Sequence, residues 1–453
     1  MYIVNNTGIK TFLLNLLIRN GGDKMNKHDG KQKIPIRFFC EKCLTILLLF
    51  SFTLAVMLAS VQTAQAATVE ERVNGFLKQM SLKEKVDQLC REDNMASKGN
   101  KRLGIPSFLF ADGPHGINYG TAGGPATSFP TSISMASSWD RDLLNRIGTA
   151  IATEARAAGR NQILSPCIDI TRDPRAGRTQ ECYGEDPFLS AKLAVSYVKG
   201  AQSTKIIATV KHFNLNTQES SRRENNCIID DRTLIEHYGL PFKEAVQDGG
   251  VMSVMTAYNK INGEITCENK HLVTDILKNQ WGFKYYTITD WAAGFNAEKM
   301  INAGTDVEIG FDKYFSLPQL VNRGKISEKQ IDEAVRRVLR TKIESGIVDG
   351  LPPVSRLKIN SPEHQELGLE TAKKGMVLLK NQDNILPLDK SKIKSIAVIG
   401  PSANVARLGD FGSSNVTPPY SISALAGIRS KIGGSVKVNY AKGCDINTDD
   451  RDG

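Results

Sequence analysis

No internal repeat and no low-complexity tract interrupts the 453 residues, which excludes the disordered and fibrous classes. With 41% hydrophobic and 23% charged residues, the composition is that of a globular chain. A basic block is missing as well. Residues 1–66 inflate the net charge of +10 with eight Lys/Arg against three Asp/Glu, and the rest of the chain carries only +5, spread along its length. That leaves no footprint for a nucleic-acid partner. No G-x-G-x-x-G follows an early apolar run, which argues against a dinucleotide-binding open sheet. Beyond residue 66 the six cysteines (Cys90, Cys167, Cys182, Cys227, Cys267, Cys444) are widely spaced, and no histidine pair sits at ligand spacing. Neither a metal nor a cofactor is therefore expected. Glutamate, too, is absent from one long stretch: none lies between Glu370 and Gly453.

What is present begins with a leader. Residues 44–67 carry no charge and include LTILLLFSFTLAVMLA; Lys24, Lys27, Lys31, Lys33, Arg37 and Lys42 precede them and Ala64-Gln65-Ala66 follows. A basic n-region, an apolar h-region and an A-x-A site are the parts of a secretory signal. Residues 1–66 thus read as a signal peptide cleaved after Ala66, and the mature protein as secreted or periplasmic with no stable membrane partner. The apolar stretch is also long enough to span a bilayer as an uncleaved anchor, but the small-residue site favours cleavage. The long n-region makes Met25 an alternative start, and the Cys40-x-x-Cys43 pair inside it reads as incidental. An oxidising compartment permits disulfides among the later cysteines without specifying their pairing.

From residue 67 to about 345, short apolar runs alternate with helical patterns. Strands are expected at 107–110, 133–136, 163–165, 207–210, 251–255, 286–289 and 307–309. Ser81 with Glu84 and Ser327 with Gln330 form capping boxes, and Asp186-Pro187 and Asp140 mark further helix starts. Such alternation over this length predicts parallel strands with crossover helices closed into a TIM-like (β/α)8-type barrel, one strand short of eight by this reading. Residues 346–370, rich in Gly and Pro at the start, read as a linker and helix, the helical pattern running through HQELGLETAKKGMVLLKN. Residues 371–453 then hold only two further strands, at 396–399 and 436–439. That is the start of a second α/β sandwich domain, since a parallel sheet needs helices on both faces.

Polar residues recur just past the expected strand ends: Asp112, Lys211-His212, Tyr258 and Asp290. Delivery of such groups to one face is how a barrel builds an active site, although any single strand-end Asp is as readily a helix cap. His212 has a bland alternative as a buried, hydrogen-bonded histidine. Lys211 has another, as a Schiff-base lysine on an aldolase-like barrel.

Seven stretches in order carry a resemblance: ADGPHGIN (111–118), FPTSISMASSWD (129–140), SPCIDITRDPRAGRTQECYGEDPFL (165–189), KHFNLNTQESSR (211–222), SVMTAYNKING (253–263), TITDW (287–291) and VLLKNQDNILPL (377–388). From about residue 69 onward the chain resembles glycoside hydrolase family 3, the two-domain β-glucosidase and exo-glucanase type. The resemblance implies that Asp290 is the nucleophile of a retaining mechanism, attacking the anomeric carbon to form a covalent glycosyl-enzyme. Cationic neighbours that lower its pKa would suit that role. It implies Trp291 as an aromatic wall beside the sugar and Asp112 as an acceptor of sugar hydroxyls. Arg178, Lys211, His212 and Arg222 become donors around the glycone, and Tyr258 a hydroxyl near the nucleophile. Arg172 and Arg175 are alternatives to Arg178 as the site arginine, and motif position favours Arg178. Glu181, Glu185 and Asp186 read as loop braces and helix caps.

The pattern departs from the family in places. Asn118 stands where many members have an arginine, and no Pro-Gly-His-Gly loop follows Lys211-His212, which sets aside the single-domain glucosaminidase branch. In two-domain members the general acid/base is a glutamate on the second domain. GDFGSSNV (409–416) resembles the loop that domain presents to the barrel, yet no glutamate follows it here, so no acid/base residue is assigned and the chain reads as C-terminally truncated. The expectation is a retaining exo-acting β-glycosidase, above all a β-glucosidase, acting on an oligosaccharide or glycoside. The alternative is a non-catalytic carbohydrate-binding pseudoenzyme or inactive remnant. Oligomeric state, linkage and the choice of glucose or xylose leave no mark in the sequence.

Overall fold

The computed structural model describes residues 67–409 and 412–446, so the leader with its Cys40-x-x-Cys43 pair, and residues 410–411 and 447–453, lie outside the described residues. Five parallel strands pair in sequential order: β1 (Phe110–Asp112), β2 (Gln162–Leu164), β3 (Ile207–Phe213), β4 (Ser253–Thr256) and β5 (Tyr286–Ile288). Every residue of β2 to β5 is buried. Their unbroken apolar character follows from being covered on both faces, unlike the alternation of a half-exposed sheet.

Backbone hydrogen bonds carry the ring past both edges of this sheet. Residues 307–309 run parallel to β5 through the Ile288–Val307 bridge; Glu308 N donates to Leu89 O; and Lys98 N donates to Cys90 O. Ser97 N and Phe108 O, with Phe110 N and Met95 O, then return the circuit to β1. The barrel is therefore closed, and its irregular member is an antiparallel hairpin, Arg91–Asp93 with Ala96–Ser97. Both arms of that hairpin were missed in the sequence. The run expected as a strand at 133–136 is instead a helical turn, Ser132–Ala136. It buries Met135 and Ala136 side by side while Ile133 faces outward, a helical and not a two-residue periodicity.

The covering helices start where local chemistry says they should. Thr68 caps α1 (Val69–Gln79) in a capping box, Asp140 caps α2 (Arg141–Ala157) by accepting from Leu143 N, and Asp186 caps α3 (Pro187–Ser203) through Phe188 N and Leu189 N. Helix α4 (Leu240–Gln247) follows without a side-chain cap, and Ser327 with Gln330 boxes α5 (Glu328–Glu344). Helix α2 lays Leu143, Leu144, Ile147 and Ile151 fully into the core, each contributing about 1.5–3 kcal/mol by leaving water. Its neighbour α3 comes unusually close because both are notched. A Cβ on Gly148 would meet Tyr197 O at 2.4 Å, and one on Gly200 would meet Asn145 O at 2.0 Å.

Past Gly346, two short 3-10 turns lead to Ser361, which caps α6 (Pro362–Lys374). This helix stops at Lys374, so the helical pattern expected through MVLLKN ends early; Met376, Val377, Leu378 and Leu379 are non-helical and exposed. Beyond them β6 (Ser395–Ile399) and β7 (Lys437–Ala441) pair in parallel, joined through α7 (Ala424–Ile432). The second region is anchored to the barrel by charge and by one buried acid. Glu154 accepts from Thr127 Oγ at 2.6 Å, from Asn360 N at 3.0 Å and from His364 Nδ1 at 2.7 Å. Lys374 pairs with Asp140 at 2.6 Å, and Arg146 grips Glu370 with two nitrogens.

Candidate active site

A cavity of about 520 Å³ opens at the C-terminal ends of the strands, and Asp112, Arg178, Lys211, His212, Arg222, Tyr258, Asp290 and Trp291 all line it. The eight residues given site roles in the sequence thus meet in one place, from widely separated positions. Four of them sit where a buried strand runs out: Asp112 ends β1, Lys211 and His212 close β3, and Asp290 follows Thr289 after β5. Tyr258 stands just beyond β4. A closed ring of strands makes this convergence automatic, because successive strand ends point to the same rim.

Asp290 is almost wholly buried. Trp291 N donates to its Oδ1 at 2.7 Å, the Tyr258 hydroxyl also hydrogen-bonds it, and His212 Nε2 lies 3.5 Å from its Oδ2. Burial pushes its pKa above the ordinary 3.8, while Arg178 and Lys211 pull the other way. The expectation that cations would leave this carboxyl lowered is thus corrected: they are present, but desolvation outweighs them in the open cavity. Asp112 behaves alike, raised by burial and countered by Lys211, whose Nζ stands 3.7 Å from Asp112 Oδ1.

Behind this front rank lies a supporting one that the sequence reading passed over. Asp169 Oδ2 accepts from His212 Nδ1 at 2.8 Å and from His212 N at 2.9 Å, while its Oδ1 accepts from Asn216 N at 3.2 Å. With backbone N–H groups on both oxygens, Asp169 serves as acceptor, which fixes the His212 proton on Nδ1 and leaves Nε2 as a lone pair facing the cavity. Burial, and then the charges of Arg178, Lys211 and Arg222, hold the His212 pKa well below its usual value, so the ring is neutral. Burial raises Asp169 to about 7.

Arg178 is held by a two-pronged bridge to Glu181, Nε–Oε1 and Nη2–Oε2 both 2.9 Å, with Glu219 3.6 Å from its third nitrogen. Against the upward push of burial, that fork keeps Glu181 below the usual carboxylate range. Arg175, by contrast, pairs with Asp173 on the surface and Arg172 is exposed, so the arginine that reaches the cavity is Arg178. Arg222 donates to Glu219 at 2.7 Å and stacks its guanidinium 3.7 Å from the Tyr258 ring centre, a cation–π contact that orients both. Trp291 is pinned by Nε1 donating to Asn94 O at 2.9 Å and by an edge contact with Phe110. The loop that carries it folds against Gly310, where a Cβ would strike Ala292 N at 2.3 Å.

Glu181, Glu219, Gln180, Met95 and Met255 also line the cavity, as do Gly412 and Ser413 from the second region. Glu181 and Asp186 do the bracing and capping read for them. Glu219 and Asp169 carried no signal beyond their motifs, since each acts through a neighbour. GDFGSSNV was legible as a loop aimed at the barrel: Val416 joins the barrel core, and Ala126 N donates to Thr417 O at 3.0 Å.

A closed α/β barrel with carboxylates, cations and an aromatic wall at its strand ends defines the class, and sequence comparison supplies the family. Residues 53–341 match the Glycosyl hydrolase family 3 N terminal domain, and residues 376–449 match the Glycosyl hydrolase family 3 C-terminal domain. The chain belongs to glycosyl hydrolase family 3. It is 36% identical over 381 residues to a beta-glucosidase of Rhizobium radiobacter, covering 83% of this chain and 46% of that protein. It is 34% identical to a beta-xylosidase of Formosa agariphila, covering 90% of this chain and 62% of that protein. The structure of beta-glucosidase 3B from Thermotoga neapolitana in complex with alpha-D-glucose superposes with a TM-score of 0.73 at 31% identity, covering 82% of this chain and 55% of that one. The chain spans about half the length of the curated relatives it matches.

Proposed function

We propose that this chain carries the glycone site of a retaining exo-acting β-glycosidase, a β-glucosidase by preference. Asp290 attacks the anomeric carbon of a terminal non-reducing β-linked sugar as the aglycone departs, and water later hydrolyses the resulting ester with retention. The observation that carries this reading is the placement of Asp290 at the end of β5, aimed into a cavity ringed by hydroxyl-binding groups. Lys211 and Arg178 donate to sugar hydroxyls and Asp112 accepts from them; neutral His212, expected from the resemblance as a donor, accepts at Nε2 instead because Asp169 holds its proton on Nδ1. Trp291 offers its ring to an apolar sugar face. As substrate displaces water, the two cations favour the carboxylate form of Asp290 that attack requires.

The reading assigns no general acid/base to the described residues. Glu181 is engaged by Arg178 and Glu219 by Arg222, so neither is free to give a proton to a leaving group. Proton donation is worth about 10²–10⁴-fold to a natural glycoside and almost nothing to dinitrophenolate. Export, with cleavage after Ala66, belongs to the same proposal and rests on the leader sequence; N-terminal sequencing of the mature protein tests it. For the chemistry, the chain is incubated with 2,4-dinitrophenyl 2-deoxy-2-fluoro-β-glucoside and digested for peptide mass mapping. A stoichiometric burst of dinitrophenolate with the sugar on Asp290 is the expected result. A tag on another residue would sink the nucleophile assignment, and glucose binding by calorimetry without any tag would favour a carbohydrate-binding protein instead.

A further inference from the structure

Two cysteines meet directly beneath this cavity. Cys167 lies three residues past Leu164, the last residue of β2, and bridges in parallel to Lys211, and Cys182 follows the turn that carries Arg178 and Glu181. Both are buried, and their Sγ atoms stand 3.4 Å apart. Around them, Cys167 Sγ is 3.5 Å from Asp169 Oδ2 and 3.8 Å from His212 Nδ1, while Cys182 Sγ is 3.7 Å from Arg178 O.

We propose that Cys167 and Cys182 form a disulfide that staples the arm bearing Arg178 to the strand end bearing Asp169, a covalent modification underneath the glycone site. The sulfurs need only a further approach of little more than an ångström to reach the bonded distance of about 2.05 Å. Arg172, Pro174 and Arg175 of the intervening segment are exposed, so that part of the arm is not packed in the core.

The same groups meet the spacing for a soft cation, with Cys167, Asp169 and Cys182 offering atoms within 4.8 Å of one another. Charge and hydrogen bonding argue for the disulfide. Arg178 and Lys211 already stand close enough to depress the His212 pKa, so a divalent ion would enter a cationic neighbourhood. Asp169 and the His212 Nδ1–H are committed to each other. A metal also needs thiolates, whereas the contact with Cys182 and burial hold the Cys167 thiol well above its ordinary range. A disulfide is neutral and leaves the Asp169–His212 pair as it is.

Because the pair is buried once folded, oxidation belongs to the folding chain, with glutathione disulfide as oxidant. The Cys182 thiolate attacks one sulfur of glutathione disulfide and expels glutathione. The Cys167 thiolate then attacks the Cys182 sulfur of the mixed disulfide and expels the second glutathione. The cysteine pair loses two electrons and two protons, and the two glutathione molecules gain them. The bond closes a segment of 15 residues.

The full chain is refolded in a mixture of reduced and oxidised glutathione, denatured in N-ethylmaleimide, and digested with trypsin without reduction. Peptides 161–172 and 179–192 are expected as one linked species, two hydrogens lighter than their sum, which dithiothreitol separates. Reduction should lower the melting temperature by about 4 °C. That shift should vanish in both Cys167→Ala and Cys182→Ser. The proposal fails if both cysteines carry N-ethylmaleimide, if either is found linked to another cysteine, or if one zinc per chain is retained with both thiols unlinked. None of these readouts depends on glycosidase activity.

Discussion

Replacing Lys342 with methionine should stabilise the protein, and by an amount that depends on pH in a calculable way. Lys342 lies on α5 and is wholly buried, with Nζ donating to Gln88 Oε1 at 2.9 Å and resting 4.7 Å from the Phe108 ring centre. Phe108 in turn stacks on Tyr286, the first residue of β5, so the amine sits at the N-terminal mouth of the barrel, opposite Asp290. Burial pushes its pKa from 10.5 down to about 7. The sign follows from proton counting. Between about pH 7 and pH 10.5 the unfolded chain holds a proton that the folded one has released, so stability rises with pH across that window and the full cost is present below it. At 1.36 kcal/mol per pKa unit, that cost is about 4–5 kcal/mol at pH 6 and about 2 kcal/mol at pH 9. Methionine removes it but leaves Gln88 Oε1 without its donor, a loss of about 1–3 kcal/mol at either pH. The lost bond cancels when the two pH values are compared. The stability gained by Lys342→Met should therefore be about 2.5–3 kcal/mol larger at pH 6 than at pH 9, read from urea unfolding of both proteins at each pH. An equal gain or loss at the two pH values would refute the reasoning and show that the amine keeps its proton in the fold.

Asp306 is the reverse case, a buried charge that is fully matched. It takes Lys278 at 2.9 Å, Arg337 at 2.8 Å and Thr287 N at 2.8 Å, so Asp306→Ala should cost about 3–5 kcal/mol of unfolding free energy by leaving the Arg337 cation and the buried Lys278 amine without their acceptor, visible as a sharp fall in the urea midpoint. Asp169→Asn should slow labelling of Asp290 by the fluoro-sugar about 10- to 100-fold by freeing the His212 ring to take the other tautomer, and should lower the melting temperature by a few degrees because one backbone N–H then faces the new amide. An unchanged labelling rate would remove His212 orientation from the account.

How much of this was legible in the sequence depended on how local each feature's cause was. Capping boxes at Ser81 and Ser327, and the caps Asp140 and Asp186, were legible because the whole interaction lies within three residues. The strands from β2 to β5 were legible as apolar runs ending in a polar residue. The hairpin at 91–97 was not, because REDNMAS is mostly polar and its pairing is set by distant partners such as Phe108. The 133–136 run failed for the opposite reason: so short a run, Ile-Ser-Met-Ala, fits a strand or one helical turn equally well. In the cavity, residues at strand ends stood out, whereas Asp169 and Glu219 did not, since their importance lies in what they hold in place.

Gly412 and Ser413 close one side of a cavity whose other walls belong to the barrel, and the Glu154 junction with Asn360 and His364 is one of the ties that hold the segment bearing them. A sugar touching both walls binds the docked arrangement and not the undocked one. Ligand occupancy and the attachment of residues 360–417 are then two faces of a single equilibrium, each strengthening the other by the same factor. Changes at Glu154, far from any sugar, would surface as altered affinity, and a saturating sugar would slow proteolysis of the linker.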